Sequence, residues 1–373
     1  MQRMIAFYHA EVERFRIEGS GKSVSDFIDR DPKRISWDVA QIQGVERGKI
    51  VHFDPSCTIQ GIYRPFCKQW LYYNSFYNNS TYQMPRIFPN AAADNRVIAV
   101  TGVGGRTDFS ALMLDHLSDI QNMANGQCFP RYLYDPPGAD DLFSGSAHTR
   151  RDAITDAGLR HFQAAYPGAG QAISKDDVFY YVYGLLHSPD YRRRFRNNLS
   201  KALPRIPAVT RFEDFMAFAQ AGRDLGDLHV NFKAAAPHPV TFKAGDPRLA
   251  AIDDPVTFYR VAKMTFGGKG KDKDKTVVRY NPHITMMDIP LRAYDYEVNG
   301  KPALEWVMER QTVKTDKASG IVNDANDYAN ETLGDPAYPL TLFQRIITVS
   351  LRTLAIVDGL PTLAIGPPRA AQR

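Results

Sequence analysis

The 373-residue chain is poor in cysteine: Cys57, Cys67 and Cys128 are the only three, and none lies in a C-x-x-C pair. An odd number so placed indicates neither a disulfide framework nor a thiolate zinc site. Nine histidines are scattered singly, with no H-E-x-x-H and no pair spaced by four, so no metal centre is expected. No uninterrupted apolar run approaches the ~20 residues of a membrane span. The opening MQRMIAFYHAEVERFR is amphipathic and charged rather than a secretory signal. A cytoplasmic protein without membrane contact is the expectation. Gly21-Lys22-Ser23 mimics the end of a phosphate-binding loop, but Arg16 stands where its first glycine is required. No internal repeat is evident.

What is present is an ample apolar fraction (44%), a net charge of +5 and 12% aromatics, with 19 Tyr. The length holds two or three domains with true cores, and the charge permits a polyanionic partner without demanding one. Its distribution says more. In SKDDVFYYVYGLLHSPDYRRRFRNNLSKALPRIP, Ser174 and Asp177 form a capping-box variant ahead of Val178, Tyr181, Val182, Leu185 and Leu186, one helical face. His187 closes that helix, and Ser188-Pro189 opens the next as N-cap and first helical residue. From Tyr191 to Arg211 there are seven basic residues and no acidic one, among them Arg192, Arg193, Arg194 and Arg196. An apolar helix followed by a cationic one suggests a core element carrying an anion-seeking surface.

Taken in order, residues 1 to about 30 read as a helix that starts without a cap. Short strands and turns are expected in ISWDVA, KIVHF, GIYRPFCKQWLYYN and YQMPRIFP. There Arg64, Lys68 and Arg86 are interleaved with tyrosines and with Asn74, Asn78 and Asn79, residue types that touch phosphates and base edges. NRVIAVTGVGGR is a strand leading to a glycine-rich turn, and residues 136–152 resemble a linker. Helices are expected over residues 155–166, 175–187, 189–201 and 212–228. Beyond about residue 235 the pattern turns to strands in TFYRVAKMTF and KTVVRYNP. They are joined by GGKGKDKDK, whose Lys269, Lys271 and Lys273 make a cationic tip suited to a phosphate backbone. Asn299-Gly300 is a turn, Pro302 opens a helix, SGIVNDANDYAN is a polar loop, and residues 340–357 form an apolar helix.

Two motifs mimic a methyltransferase. Gly102 to Gly105 resembles a methyl-donor loop, but its spacing is G-x-G-G and no acidic partner residue is in place. Asp135-Pro136-Pro137-Gly138 resembles the acceptor motif of amino methyltransferases, with Gly138 where the base-stacking aromatic belongs.

Together YRPFCKQWLYYN, YQMPRIFP, FSALMLDHLSDI, QCFPRYLYD, the 177–207 stretch, AGRDLGDLHVNF, EVNGKPALEWVMERQ and SGIVNDANDY resemble, in order, the C-terminal portion of Type ISP restriction–modification enzymes. Residues 324–328, DANDY, depart from the expected Asp-Pro-Asn-Asp-Trp. Such enzymes join nuclease, helicase-like ATPase, adenine-N6 methyltransferase and target-recognition domains. The resemblance therefore implies a multi-lobed α+β target-recognition domain, with small mixed sheets flanking a central helical block. Residues 1–50 would be the tail of a methyltransferase domain or a helical extension. Residues 51–145 would form a first α/β lobe, 150–235 the helical block, and 236–373 a C-terminal α+β lobe. It implies double-stranded DNA as partner, along with the methyltransferase and helicase parts of the parent enzyme or a separate subunit. Arg64, Lys68, Arg86, Arg106 and the 192–196 run become phosphate contacts, and Asn74, Asn78 and Asn79 readers of adenine edges. No catalytic residue is assigned. S-adenosylmethionine, ATP and Mg are expected only in upstream domains absent from this chain. A self-contained methyltransferase built on the two mimicking motifs, and a remnant that docks onto a protein, are the competing readings.

Overall fold

The computed structural model describes residues 1–136, 148–270 and 272–366. Its class is the expected one: small sheets set around a helical centre. Helix α1 (Gln2–Glu18) stops well short of residue 30. A side chain on Gly19 would collide with the Phe15 ring, and Gly21 then turns the chain at φ +75°. Helix α2 (Val24–Phe27) follows. ISWDVA is not a strand but the entrance to α3 (Val39–Glu46), because Asp38 and Gln41 form a capping box, the Asp38 N–H donating to Gln41 Oε1 at 2.7 Å. Tyr8, Val12, Val24, Ile28, Ile35 and Val45 from this segment close a small core with Phe76.

Strands β1 (Thr58–Arg64) and β2 (Cys67–Tyr72) pair antiparallel as a hairpin in the stretch where short strands and turns are expected. YQMPRIFP is instead a turn of helix, α4 (Met84–Ile87), with Pro85 in its first turn. Next come β3 (Val97–Val100), β4 (Ala111–Leu114), β5 (Leu117–Ser118) and β6 (Gln127–Pro130). Strand β5 adds parallel to β1, while β3 runs antiparallel between β4 and β6. All four β3 side chains are buried, as a strand covered on both faces requires. Strands β7 (Tyr132–Asp135) and β8 (Thr149–Asp152) pair with each other.

In the helical block, Thr155 caps α5 (Asp156–Gln163), and the Ser174–Asp177 box starts α6 (Lys175–His187) with both of its bonds made. Ser188 caps α7 (Pro189–Arg194). The cationic helix expected over 189–201 breaks at Phe195 into α7 and α8 (Arg196–Leu199), so its arginines do not share one face. Helix α9 (Phe212–Val230) crosses α6 with backbones in contact: a Cβ on Gly222 would strike the Tyr180 carbonyl, and one on Gly184 the Phe218 carbonyl.

The C-terminal sheet has the order β10 (Thr265–Gly267), β11 (Asp274–Arg279), β12 (Thr285–Met287), β9 (Thr241–Phe242), antiparallel throughout. TFYRVAKMTF is a strand only at its end. Asp254 caps a helical turn, α10 (Pro255–Tyr259), before it. Asn299 and Gly300, both at positive φ, turn β13 (Glu297–Val298) into β14 (Lys301–Pro302), which leads into α11 (Ala303–Arg310). The polar stretch after it is more ordered than a loop, containing β15 (Lys314–Thr315), β16 (Val322–Asn323), α12 (Ala325–Asp327) and a π-turn over Tyr328–Thr332. The buried Asn326 amide bonds both the N–H and the C=O of Val261, substituting for a strand neighbour. Helix α13 (Tyr338–Asp358) is, contrary to expectation, long and apolar enough by length and composition to cross a membrane. Here it is a core helix: Leu340, Phe343, Ile346, Ile347 and Val349 are buried in the largest cluster, which also takes in β1, β3, β11 and α11.

A buried polar node joins these layers. Tyr183 on α6 accepts from the Met113 N–H of β4 (2.7 Å) and bonds His229 Nδ1 of α9 (2.6 Å). His229 Nε2 meets Thr353 of α13 (2.9 Å) and the Tyr296 hydroxyl (3.1 Å). Burial pulls the His229 pKa down to about 3, and that of His187 well below its usual value.

Two predictions follow from the crossing and the node. Gly222→Ala should destabilise the chain by about 3 kcal/mol or more, the upper range for forced overpacking, measured by urea unfolding. Both histidines are neutral when folded and protonate near pH 6.5 when unfolded, so stability should be full above that pH and fall below it. Each pH unit removes up to about 1.4 kcal/mol per buried histidine; unfolding free energies between pH 7.5 and 4.5 would show this, with a shallower slope for His229→Gln.

Candidate nucleic-acid interface

A cleft of about 830 Å³ lies where the β1–β2 hairpin, the 78–84 loop and the 119–126 loop converge beside β3 and β6. Local chemistry builds each wall. Asn74 starts a turn by accepting from the Phe76 N–H (2.9 Å), while Asn78 Oδ1 accepts from the Asn74 N–H (2.7 Å). Asn79 donates to Asp38 Oδ1 at 3.2 Å, and Gln41 bonds the Phe76 carbonyl, so α3 holds this loop from behind. Ser80 (φ +55°) and Tyr82 (φ +46°) are left-handed, and Tyr82 is 80% exposed. A bulky residue in that region is strained, a condition concentrated at ligand-contacting segments. On the facing wall Trp70 is 54% exposed and donates to Thr332 at 3.2 Å.

The lining is amide-rich. Asn78 and Asn79 are joined by Gln69, Gln83, Gln121, Asn125 and Gln127. Asn and Gln present a donor and an acceptor side by side, the pattern that pairs with adenine N6 and N7 in the major groove. The sequence points to Asn78 and Asn79, but not to nearby Gln83 or to the four amides contributed by other segments. They lie far apart in sequence, and only the alternation of β2 and the turn after β5 bring them together. Asn74 commits both ends of its amide, the oxygen to the Phe76 N–H and the nitrogen to Cys57 Sγ (3.8 Å), which makes it a builder of the loop, whereas Asn78 commits only its oxygen and Asn79 only its nitrogen.

The cations fare differently. Arg64 pairs with Asp119 (2.6 Å), Arg86 with Asp135 (2.5 Å), and Arg193 with Asp190 (2.5 Å). Arg196 lies 3.7 Å from Asp108. Lys68 is only 9% exposed and held by Asp115 (2.9 Å) beside His116. Burial raises the Asp115 pKa, but the His116 hydrogen bond and the Lys68 charge outweigh it, and the carboxyl ends below its usual value. Arg192 turns inward: Nε donates to the Leu186 carbonyl (2.7 Å), and desolvation lowers its pKa. Lys68 and Arg192 are thus each engaged by partners within the chain. Arg106, Arg194, Lys269 and Lys273 are exposed without a carboxylate in ion-pair range among the described residues; Lys271 lies outside them.

The methyltransferase mimics take other roles. Gly102 to Gly105 connects β3 to antiparallel β4 and so never reaches a helix N-terminus, which a methyl-donor loop requires. A Cβ on Gly102 would strike the Asn125 carbonyl, so this glycine admits the 119–126 loop rather than a ligand. Asp135 accepts from Arg151 and Arg86, which hold its pKa below the usual range; Pro137 and Gly138 lie outside the described residues. Among the described residues no three metal-ligating side chains are grouped.

The family model of the Type ISP C-terminal specificity domain matches residues 1–342. No curated protein matches the chain. Among solved structures, a nuclease-deletion mutant of the Type ISP restriction–modification enzyme LlaGI in complex with a DNA substrate mimic is 34% identical, with a TM-score of 0.79 over 98% of this chain and 31% of its own. The ATP-dependent Type ISP enzyme LlaBIII bound to DNA is 32% identical, with a TM-score of 0.82 over 98% of this chain and 22% of its own. DrdV in its DNA complex is 29% identical, with a TM-score of 0.79 over 97% and 33%. The chain spans a third or less of each of these proteins.

The cation assignments have a direct test in stability. Lys68→Ala, which leaves Asp115 without its charge partner, should destabilise toward the lower end of the ~3–5 kcal/mol for breaking a buried pair. Arg106→Ala should stay within about 0.5 kcal/mol of the parent. Denaturant melts of the two variants check both.

Proposed function

Given that the chain belongs to the Type ISP C-terminal specificity domain family, we propose that it is a DNA-binding target-recognition module. It reads a short duplex sequence and sets it in register for methylation or restriction performed by other parts of a larger enzyme, whether on the same polypeptide or on a separate subunit. The observation that carries this reading is the amide-lined cleft, set in a fold whose counterparts at 29–34% identity are DNA complexes. Asn78, Asn79, Gln69, Gln121, Asn125 and Gln127 are the base-reading set. Arg106, Arg193, Arg194, Arg196, Lys269 and Lys273 are the phosphate-contacting set, giving affinity and register without sequence information.

In this division of labour the chain needs no S-adenosylmethionine, ATP or Mg of its own. Methyl transfer to a base calls for a pocket into which the base is flipped and a loop that holds the methyl donor, and the glycine turn after β3 is occupied by packing. A duplex binder of this type should lose affinity steeply between about 50 and 200 mM salt. Reversing the charges of Arg193, Arg194 and Arg196 should weaken binding to every duplex alike, whereas Asn79→Ala should change which sequences are preferred. Electrophoretic shift and selection from a randomised duplex pool measure the two effects. Binding that is blank at low salt, or calorimetric saturation with S-adenosylmethionine, would overturn the proposal.

A further inference from the structure

The 119–126 loop is built inside out. Ile120 is 65% exposed to water, whereas Asn122 is 1% exposed and neither its amide oxygen nor its amide nitrogen has a hydrogen-bond partner. Leaving a buried amide unsatisfied while an isoleucine two residues away faces solvent is unfavourable on both counts. Such an arrangement persists only where something else fixes the segment or another state uses it.

Both ends of the loop are fixed. Asp119 donates its N–H to the Ile62 carbonyl (2.9 Å), and its Oδ1 accepts from Gln121 N–H (2.7 Å) and from Arg64 (2.6 Å). At the other end Ala124 donates to Asn299 Oδ1 (3.0 Å) and accepts from the Gly102 N–H (2.9 Å), ahead of the left-handed Asn125 (φ +49°). Between these anchors the Asn122 N–H bond to the Asp119 carbonyl (3.0 Å) is a short-range turn that can reform after rotation. Ile120, Gln121, Met123 and Asn125 all line the cleft, whereas Asn122 and Ala124 do not, and of these two only Asn122 carries a polar side chain.

We propose that Asn122 is a specificity-determining residue held in reserve. When duplex DNA fills the cleft, residues 120–123 rearrange between their two anchors. Asn122 turns outward to pair with the N6 and N7 edge of an adenine, and Ile120 moves toward the core in its place. This deepens the recognition reading and rests on it. It also assigns Arg64 a role apart from phosphate contact, as the clamp that keeps the start of the loop in place while its middle exchanges.

The test uses the full chain with Asn122→Leu and Asn122→Ala. Replacing an unsatisfied amide with a similar-sized apolar side chain should raise the melting temperature of the free protein. The same variant should lose roughly five- to hundredfold in preference for the duplex selected by the parent, the range for one bidentate base contact, while affinity for random duplex is kept. An Asn satisfied by a trapped water would instead give a lower melting temperature and unchanged preference, which overturns the proposal. So does a higher melting temperature with unchanged preference. Because Asn122→Leu can disturb folding, a second measurement is independent of stability: 7-deazaadenine, which lacks N7, is placed at each adenine of the selected site. One position should weaken the parent several-fold and leave Asn122→Ala unaffected; equal losses in both proteins at every position would refute the contact. A parent chain that selects no sequence overturns the recognition reading itself, an outcome distinct from parent and variant selecting the same site.

Discussion

The position of the cleft depends on one close crossing. Helices α6 and α9 meet at Gly184 and Gly222 with no room for a methyl group on either, so the two axes are set by backbone contact rather than by adaptable side chains. From that crossing Tyr180 projects toward the β3 sheet, ringed by Arg96, Arg131 and Arg223, with guanidinium carbons 5.0–5.9 Å from its centroid. Each arginine is also tied to a carboxylate of α6 or α9: Asp227, Asp176 and Asp177. Cation–π and ion-pair contacts of this kind are individually modest. As a ring they fix β3 and β6, and so one wall of the cleft, relative to the helices. The Tyr183 bond to Met113 does the same for β4.

The opposite wall has a different origin. Its loop is built by asparagine turns of its own and held from behind by α3, through Asp38 and Gln41. One element therefore caps a helix and also seats the segment that carries Asn78 and Asn79. The N-terminal helices, which make a core separate from the two larger clusters, act on the candidate reading surface without lining it. The third wall, the 119–126 loop, is clamped by Arg64 at one end and by Asn299 at the other.

Where the chemistry was local, the sequence was legible. Ser174 with Asp177, Ser188 with Pro189, and Asn299 with Gly300 each specify a cap or a turn within four residues, and each formed as expected. The same grammar stands at Asp38–Gln41, where it starts a helix in a stretch whose residue types suit a short strand. YQMPRIFP and TFYRVAKMTF failed because short apolar–polar alternation fits a helical turn as well as a strand. The arginine run is divided for another reason: the helix breaks at Phe195, and Arg192 turns inward to the Leu186 carbonyl. Nor could residue order reveal that Gln69, Gln121 and Gln127 converge, since their meeting is a property of strand register. The family was readable because its motifs are contiguous; the candidate site was not, because its residues are contributed from three walls.

Internal ion pairing bears on how an electrostatic interface of this kind would be read in solution. Condensed cations leave a duplex when protein charges neutralise its phosphates, and the number released is conventionally taken as the number of contacts. An arginine already matched to an aspartate brings a neutral pair to the duplex, and must either leave its carboxylate or approach with it. Arg193 and Arg196, seated beside Asp190 and Asp108, would then touch phosphate while expelling fewer ions than two free cations do. A salt titration would register an interface smaller than the one physically formed.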